Sequence, residues 1–299
     1  MRSAVATSTR CDAREIRRAG VGLRLPHLLE VAAAAPRVGW LEIHPENFIA
    51  NPHAREVLLD IATRCALSVH TVGVSVGSAE GVDREHLSRV AALVDDVDPL
   101  FVSGHLAWST HRGRYLNDLL PIPFDAESLR TVAAHVDEVQ DALGRPYLVE
   151  NPASYVGFDG STMTEAEFLS ELVQLTGCRL LCDVSNVYVS AVNMGYDPYD
   201  YIAALPAAAI AELHLGGYTR DAQDDASADE LLIDAHASAI ADPAWALYAY
   251  TLRRIGARPT LIEWDAELPS FARLAEEAET ADKITAAVAS EGRHLAAAR

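Results

Sequence analysis

"WLEIHPENF" (residues 40–48) runs an apolar, strand-like segment into His44, Glu46 and Asn47, set around Pro45. Such an ending is either a capped turn or one corner of a site. The choice turns on whether the rest of the chain repeats it, and it does. Short apolar or β-branched runs recur as "VGLRL" (21–25), "GWLEIH" (39–44), "LSVHTVG" (67–73), "LFVSGHLAW" (100–108), "PYLVEN" (146–151), "RLLCDVSN" (179–186), "AELHLGG" (211–217) and "TLIEWD" (260–265). Helical patterns separate them, among them "AREVLLDIATRC", "DREHLSRVAALVDDV", "DAESLRTVAAHVDEVQDAL" and "TEAEFLSELVQLTG", several opening on a capping residue such as Asp125 or Thr164.

Eight strand–helix alternations predict an α/β fold, a (β/α)8 TIM barrel. A doubly wound sheet is the rival, weakened because no GxGxxG follows the first strand. No Pro/Gly/Ser-rich linker divides the chain. The expectation is a polar lead-in over residues 1–18 and one barrel domain over 19–299. Residues 218–236, "YTRDAQDDASADELLIDAH", read as a long acidic loop after strand seven, functional or mobile.

Composition narrows the partners. Lys and Arg number 24 against 43 Asp and Glu, a net charge of −19. Phosphate backbones and anionic lipid are repelled by such a surface, which argues against nucleic acid and membranes and suits small molecules, metals or basic peptides. Cys11, Cys65, Cys178 and Cys182 follow no disulfide-framework spacing, which points to a reducing compartment; Cys178 and Cys182 read as buried small hydrophobes. With no signal-peptide or membrane-length apolar run, the expected location is the cytoplasm.

Seven consecutive strands then place a His, Asp or Glu at one end. Strand two gives His44 and Glu46, strand three His70, strand four His105, and strand five Glu150 with Asn151. Strand six gives Asp183 and Asn186, strand seven His214, and strand eight Glu263 with Asp265; the loop after strand seven adds Asp234 and His236. Singly, a strand-end His is more often hydrogen-bonded or solvated than a ligand, and a lone Glu caps a helix or pairs with Arg. Together they share one barrel mouth, where so many carboxylates repel unless neutralised. Mixed imidazole and carboxylate donors suit Fe, Mn, Zn or Co, and about ten of them exceed what a single ion uses, so at least two metals are implied. His27, His53, His86, His111, His135 and His294 read as solvated surface groups. Trp108 and Trp264 either wall the pocket or fill the barrel end, and Asn117 serves a turn or a substrate.

In order along the chain, "WLEIHPENF", "SGHLAWS", "LLPIPF", "LVENPASYV", "LCDVSNVYVSAVNMGYDPYDYI", "ELHLGGY", "IDAHAS" and "LIEWD" resemble the motifs of the DUF692 family. These are the multinuclear non-haem iron-dependent oxidative enzymes, of which a methanobactin-biosynthesis member is best known. The resemblance covers residues 20–265. It implies a xylose isomerase-like barrel holding two or three irons in mixed Fe(II)/Fe(III) valence, with O2 as co-substrate. The implied substrate is a ribosomally made precursor peptide, modified at Cys or sometimes Asp or Asn, often presented by a leader-binding partner protein. Carried over by position, the implied metal ligands are His44, Glu46, His70, His105, Glu150, Asp183, Asn186, His214, Asp234, His236 and Glu263, with Glu46, His70, Asp183 and His236 as catalytic candidates. Gly104 and Tyr218 depart from the family pattern, where an acidic residue and a His are common. Two rivals stand beside this reading. One is a divalent-metal sugar isomerase or phosphodiesterase of the same superfamily, disfavoured by the charge and by the lack of a strand-end Lys. The other is a non-catalytic binding protein on the same barrel.

Overall fold

The computed structural model describes residues 18–34, 36–221 and 231–297, with side chains as far as Arg293. The expected polar lead-in lies outside the described residues except at Arg18. Twelve strands are formed by the described residues: β1 Gly20–Gly22, β2 Leu41–Ile43, β3 Leu67–Thr71, β4 Val102–His105, β5 Trp108–His111, β6 Arg114–Leu120, β7 Leu148–Glu150, β8 Arg179–Asp183, β9 Ile210–Gly216, β10 Tyr218–Asp221, β11 Leu231–Asp234 and β12 Thr260–Glu263. Eight of them close a parallel barrel in the order β1, β2, β3, β4, β7, β8, β9, β12, and β12 pairs back onto β1 through Val21 and Ile262.

Closure follows from the runs themselves. Both faces of a barrel strand are covered, so its sequence is near-continuously apolar, and β2, β3, β7 and β12 are buried at every residue. The outer helices are one-sided. Helix Ala126–Leu143 buries Leu129, Val132, Ala133, Val136, Val139 and Leu143 at helical spacing. Asp125 caps its start, and Gly144 ends it in the left-handed region at φ 61°.

Three sequence-based expectations change. The strand read over 179–186 stops at Asp183, and helix Val184–Met194 begins at once. Its Val and Tyr content resembles a strand; the Asp183 carboxylate decides otherwise by accepting from the Asn186 backbone N–H at 2.7 Å. The strand read over 100–108 ends at His105, and Trp108 opens the β5–β6 hairpin, whose Asn117 takes a left-handed backbone at φ 52°. The acidic loop is in part a second hairpin, β10–β11, in which Tyr218 pairs with Asp234; residues 222–230 lie outside the described residues.

Strand alternation sets the site. At the C-terminal end of the barrel the inward positions are His44, His70, His105, Glu150, Asp183, His214 and Glu263. Two residues earlier on the same runs stand Glu42, Ser68, Ser103, Leu148, Leu181, Glu212 and Leu261, all buried.

Candidate metal centre

Because the strands converge, side chains far apart in sequence meet within a few ångströms. His70 Nε2 and His105 Nε2 lie 3.1 Å apart, and Glu150 Oε2 is 3.2 Å from each. Such separations are those of donor atoms around one ion held at about 2 Å. A second group joins Glu150, Asp183, His214 and Glu263, whose donor atoms all fall within 4.8 Å. There His214 Nδ1 is 3.0 Å from Glu263 Oε2 and 3.9 Å from Glu150 Oε1. Glu150 thus offers one oxygen to each group.

The third cluster rests on β11 and the residues after it. His236 Nε2 lies 2.8 Å from Asp234 Oδ1 and 3.8 Å from Asp183 Oδ2. The Asn186 side-chain amide faces both oxygens of Asp234 at 3.2 and 2.9 Å. Turned one way its nitrogen donates to them; turned the other its oxygen joins them around a cation. His236 is held at a left-handed φ of 43°, against a glycine: a Cβ on Gly216 would come within 2.1 Å of its ring. His44 Nε2 sits 3.6 Å from Glu263 Oε1, on the side where Arg24 pairs with Glu263 at 3.3 Å and with Asp265.

Glu46 stands apart. Its carboxylate accepts from Gly73 N–H at 2.8 Å and meets His86 Nε2 at 3.1 Å, and it joins no metal-sized cluster among the described residues. The five described histidines expected at the solvated surface divide. His86 is half-buried on Glu46; His27 is buried with Nε2 2.9 Å from the Pro269 carbonyl; His135 places Nδ1 2.8 Å from the Val76 carbonyl; His111 is exposed, as is His53. The side chain of His294 lies outside the described residues. Trp264 fills the core, and Trp108 is half-buried with its N–H donated to the Pro121 carbonyl at 2.9 Å. Cys178 and Cys182 are buried free thiols, as their apolar run suggests; Cys11 lies outside the described residues.

Electrostatics separate the groups. Burial holds His70 well below the ordinary imidazole range and His105 at about 4, so both rings are neutral and present lone pairs. Burial drives Glu150 well above the carboxylate range, helped by Glu263 and Asp183, and lifts Asp183 to about 6. Burial disfavours charge on His214, but Glu42 and Glu263 outweigh it and raise that ring well above its usual value. Burial likewise pushes Asp265 up, yet Arg24 overrides it and holds the carboxyl at about 2.

The residues fit a metal centre. Glu150 Oε2, Asp183 Oδ2, His44 Nε2 and His236 Nε2 are buried without a hydrogen-bond partner. Buried orphan polar atoms are uncommon, and these four belong to side chains gathered at the barrel mouth. Sequence reading missed Glu42, Ser103, Arg24, Glu212 and His86. Only Arg24, just beyond the first strand, carried a positional signal.

The described strands form a parallel (β/α)8 TIM barrel with a buried His and carboxylate cluster at its mouth. Solved structures agree on the fold. An L-ribulose 3-epimerase superposes at TM-score 0.61 with 14% identity over 93% of this chain and 97% of its own. A xylose isomerase-like TIM barrel protein from Mycobacterium smegmatis in complex with magnesium gives 0.57 with 13% identity over 92% and 88%. The chain belongs to the family described as "RiPP precursor modification enzyme MbnB/TglH/ChrH", whose model matches residues 18–286. A UPF0276 protein of Chromobacterium violaceum is 47% identical over 89% of this chain and 94% of its own, and one of Vibrio vulnificus is 45% identical over 89% and 90%. The family points to an enzyme. No helix among the described residues is long and apolar enough to cross a membrane.

Proposed function

We propose that this protein is a multinuclear iron- and O2-dependent oxidase that modifies a ribosomally synthesised precursor peptide, most readily at Cys, in the cytoplasm and with a leader-binding partner. The observation that carries the reading is Glu150, whose two oxygens face separate ligand groups and so suit a bridge between two ions. In this reading His70, His105 and Glu150 would hold one iron, and Glu150, Asp183, His214 and Glu263 a second. Asn186, Asp234 and His236 would hold a third, with His44 beside Glu263. Bound iron supplies the one-electron chemistry with O2 that side chains lack.

The chain's own residues do the rest. Neutral His70 and His105 bind without first losing a proton. Arg24 holds Glu263 and Asp265 in place and offsets their charge. Burial of the mouth keeps water from the reacting atoms. The sugar-isomerase reading draws no support from lysine, since the single Lys283 lies on the last helix, Phe271–Ala297. The test is mass spectrometry of a Cys-containing precursor peptide mixed with anaerobically Fe(II)-loaded protein and then given O2. An O2-dependent mass change is expected. No change with iron, together with sugar isomerisation by the Mn- or Mg-loaded protein, overturns the proposal.

A further inference from the structure

Beneath the mouth, the strands follow a rule that the proposed metal ligands alone do not require. Where a strand ends in histidine, the inward residue two positions earlier is polar: Glu42 before His44, Ser68 before His70, Ser103 before His105 and Glu212 before His214. Where it ends in a carboxylate, that position is leucine: Leu148 before Glu150, Leu181 before Asp183 and Leu261 before Glu263. Burial does not distinguish the two sets, since Glu42, Ser68, Ser103 and Glu212 are as inaccessible as the leucines. Two buried carboxylates in a barrel core are costly, and leucine fits the equivalent place on three neighbouring strands. Their presence therefore answers a need specific to histidine.

The contacts show what that need is. Either oxygen of a carboxylate binds a cation equally well, whereas an imidazole has two different nitrogens and the group behind the ring selects which faces forward. His70 has Ser103 Oγ behind it, 2.8 Å from Nδ1, and presents Nε2 to His105 and Glu150. His214 is reversed. Its Nε2 lies 3.5 Å from Glu42 Oε2 and 3.5 Å from Glu212 Oε1, and Nδ1 faces Glu263 and Glu150. Ser68 Oγ in turn donates to Glu42 Oε2 at 2.7 Å, fixing the carboxylate under the ring. We propose that this lower tier, Glu42 and Glu212 for His214 and Ser103 for His70, consists of positioning residues that choose the nitrogen each ring turns toward the metal centre. The inference rests on the metal-centre reading above and adds residues to it.

The experiment uses the full chain, with Fe(II) added anaerobically and Co(II) as a spectroscopic probe, and compares wild type with the Glu42→Gln/Glu212→Gln pair. The amides keep the shape of the carboxylates but not their exclusive preference for accepting. The pair should fold, bind metal roughly 10–100-fold more weakly and show an altered Co(II) absorption spectrum. Glu212→Gln alone should show a smaller change in the same direction if the double variant does not fold. Ser103→Ala should weaken binding at the His70 group, and Ser103→Thr should restore it. A folded variant with wild-type affinity and spectrum overturns the inference. So does anomalous scattering from an ion seated on Glu42 and Glu212 themselves, which would make them ligands. A wild-type chain that takes up neither metal overturns the metal-centre reading first, so the two failures are told apart.

Discussion

Glu150 Oε2 lies 3.2 Å from His70 Nε2, and this contact ties the two main ligand groups together, because the other oxygen of the same carboxylate faces His214. Glu150→Ala should therefore lose metal from both groups, whereas Asp183→Ala should weaken the second and spare the first. Metal content per folded chain measures the difference. Loss of a single ion from Glu150→Ala would show that Glu150 serves one ion only.

Glu46 illustrates the opposite case. Its carboxylate is held by Gly73 N–H and His86, and burial, which pushes it up, is outweighed by those hydrogen bonds, so it titrates below its ordinary value. Glu46→Gln and His86→Ala should keep the full metal complement while altering peptide turnover. Loss of iron from Glu46→Gln would return Glu46 to the ligand set.

Gly104 adjoins His105 at a place where a side chain has no room. A Cβ there would come within 2.0 Å of the Tyr147 hydroxyl and 2.4 Å of Thr71 Oγ1. Those two groups bond each other at 2.7 Å inside the barrel wall. Gly104→Ala should cost about 1–3 kcal/mol by overpacking, and adding Tyr147→Phe should recover part of it. Thermal unfolding of the single and double variants reads both effects; no loss in the single variant would mean that the wall yields freely.

How far the site could be read in sequence depended on where a residue sat. The seven strand-end ligands stand out because a polar side chain at the end of an apolar run is conspicuous. Glu42 and Glu212 are two residues inside the same runs, where a charge ordinarily marks an outward-facing position, and only barrel closure shows that they face inward. His86 opens a helix like any solvated residue, and its role appears only when Gly73 and Glu46 are brought beside it. Helix Val184–Met194 was hidden by β-branched residues whose strand preference is overridden by the Asp183 cap and by packing. Barrel architecture itself was legible throughout, because alternation of strand and helix patterns is a property of the whole chain.

Glu165 offers a pH test away from the metal centre. Burial raises its carboxyl to about 7, opposed by the Tyr201 hydroxyl that donates to it at 3.0 Å. With the folded value above the unfolded one, the folded state holds the extra proton between pH 4.5 and about 7. Its contribution to stability is therefore present at low pH and declines as pH rises through that window. Glu165→Gln should be more stable relative to wild type at pH 8 than at pH 5, by on the order of 1 kcal/mol. A difference that does not change with pH would place the carboxyl in water.

The central claim is a centre of more than one iron at the barrel mouth. Its most direct test is iron content per chain, with Mössbauer spectra, for protein loaded with Fe(II) without air and freed of loosely bound metal. Two or three irons per chain are predicted, with distinct sites in the spectrum and with Glu150→Ala removing more than one of them. A single iron, or none, on folded wild-type protein would contradict the account.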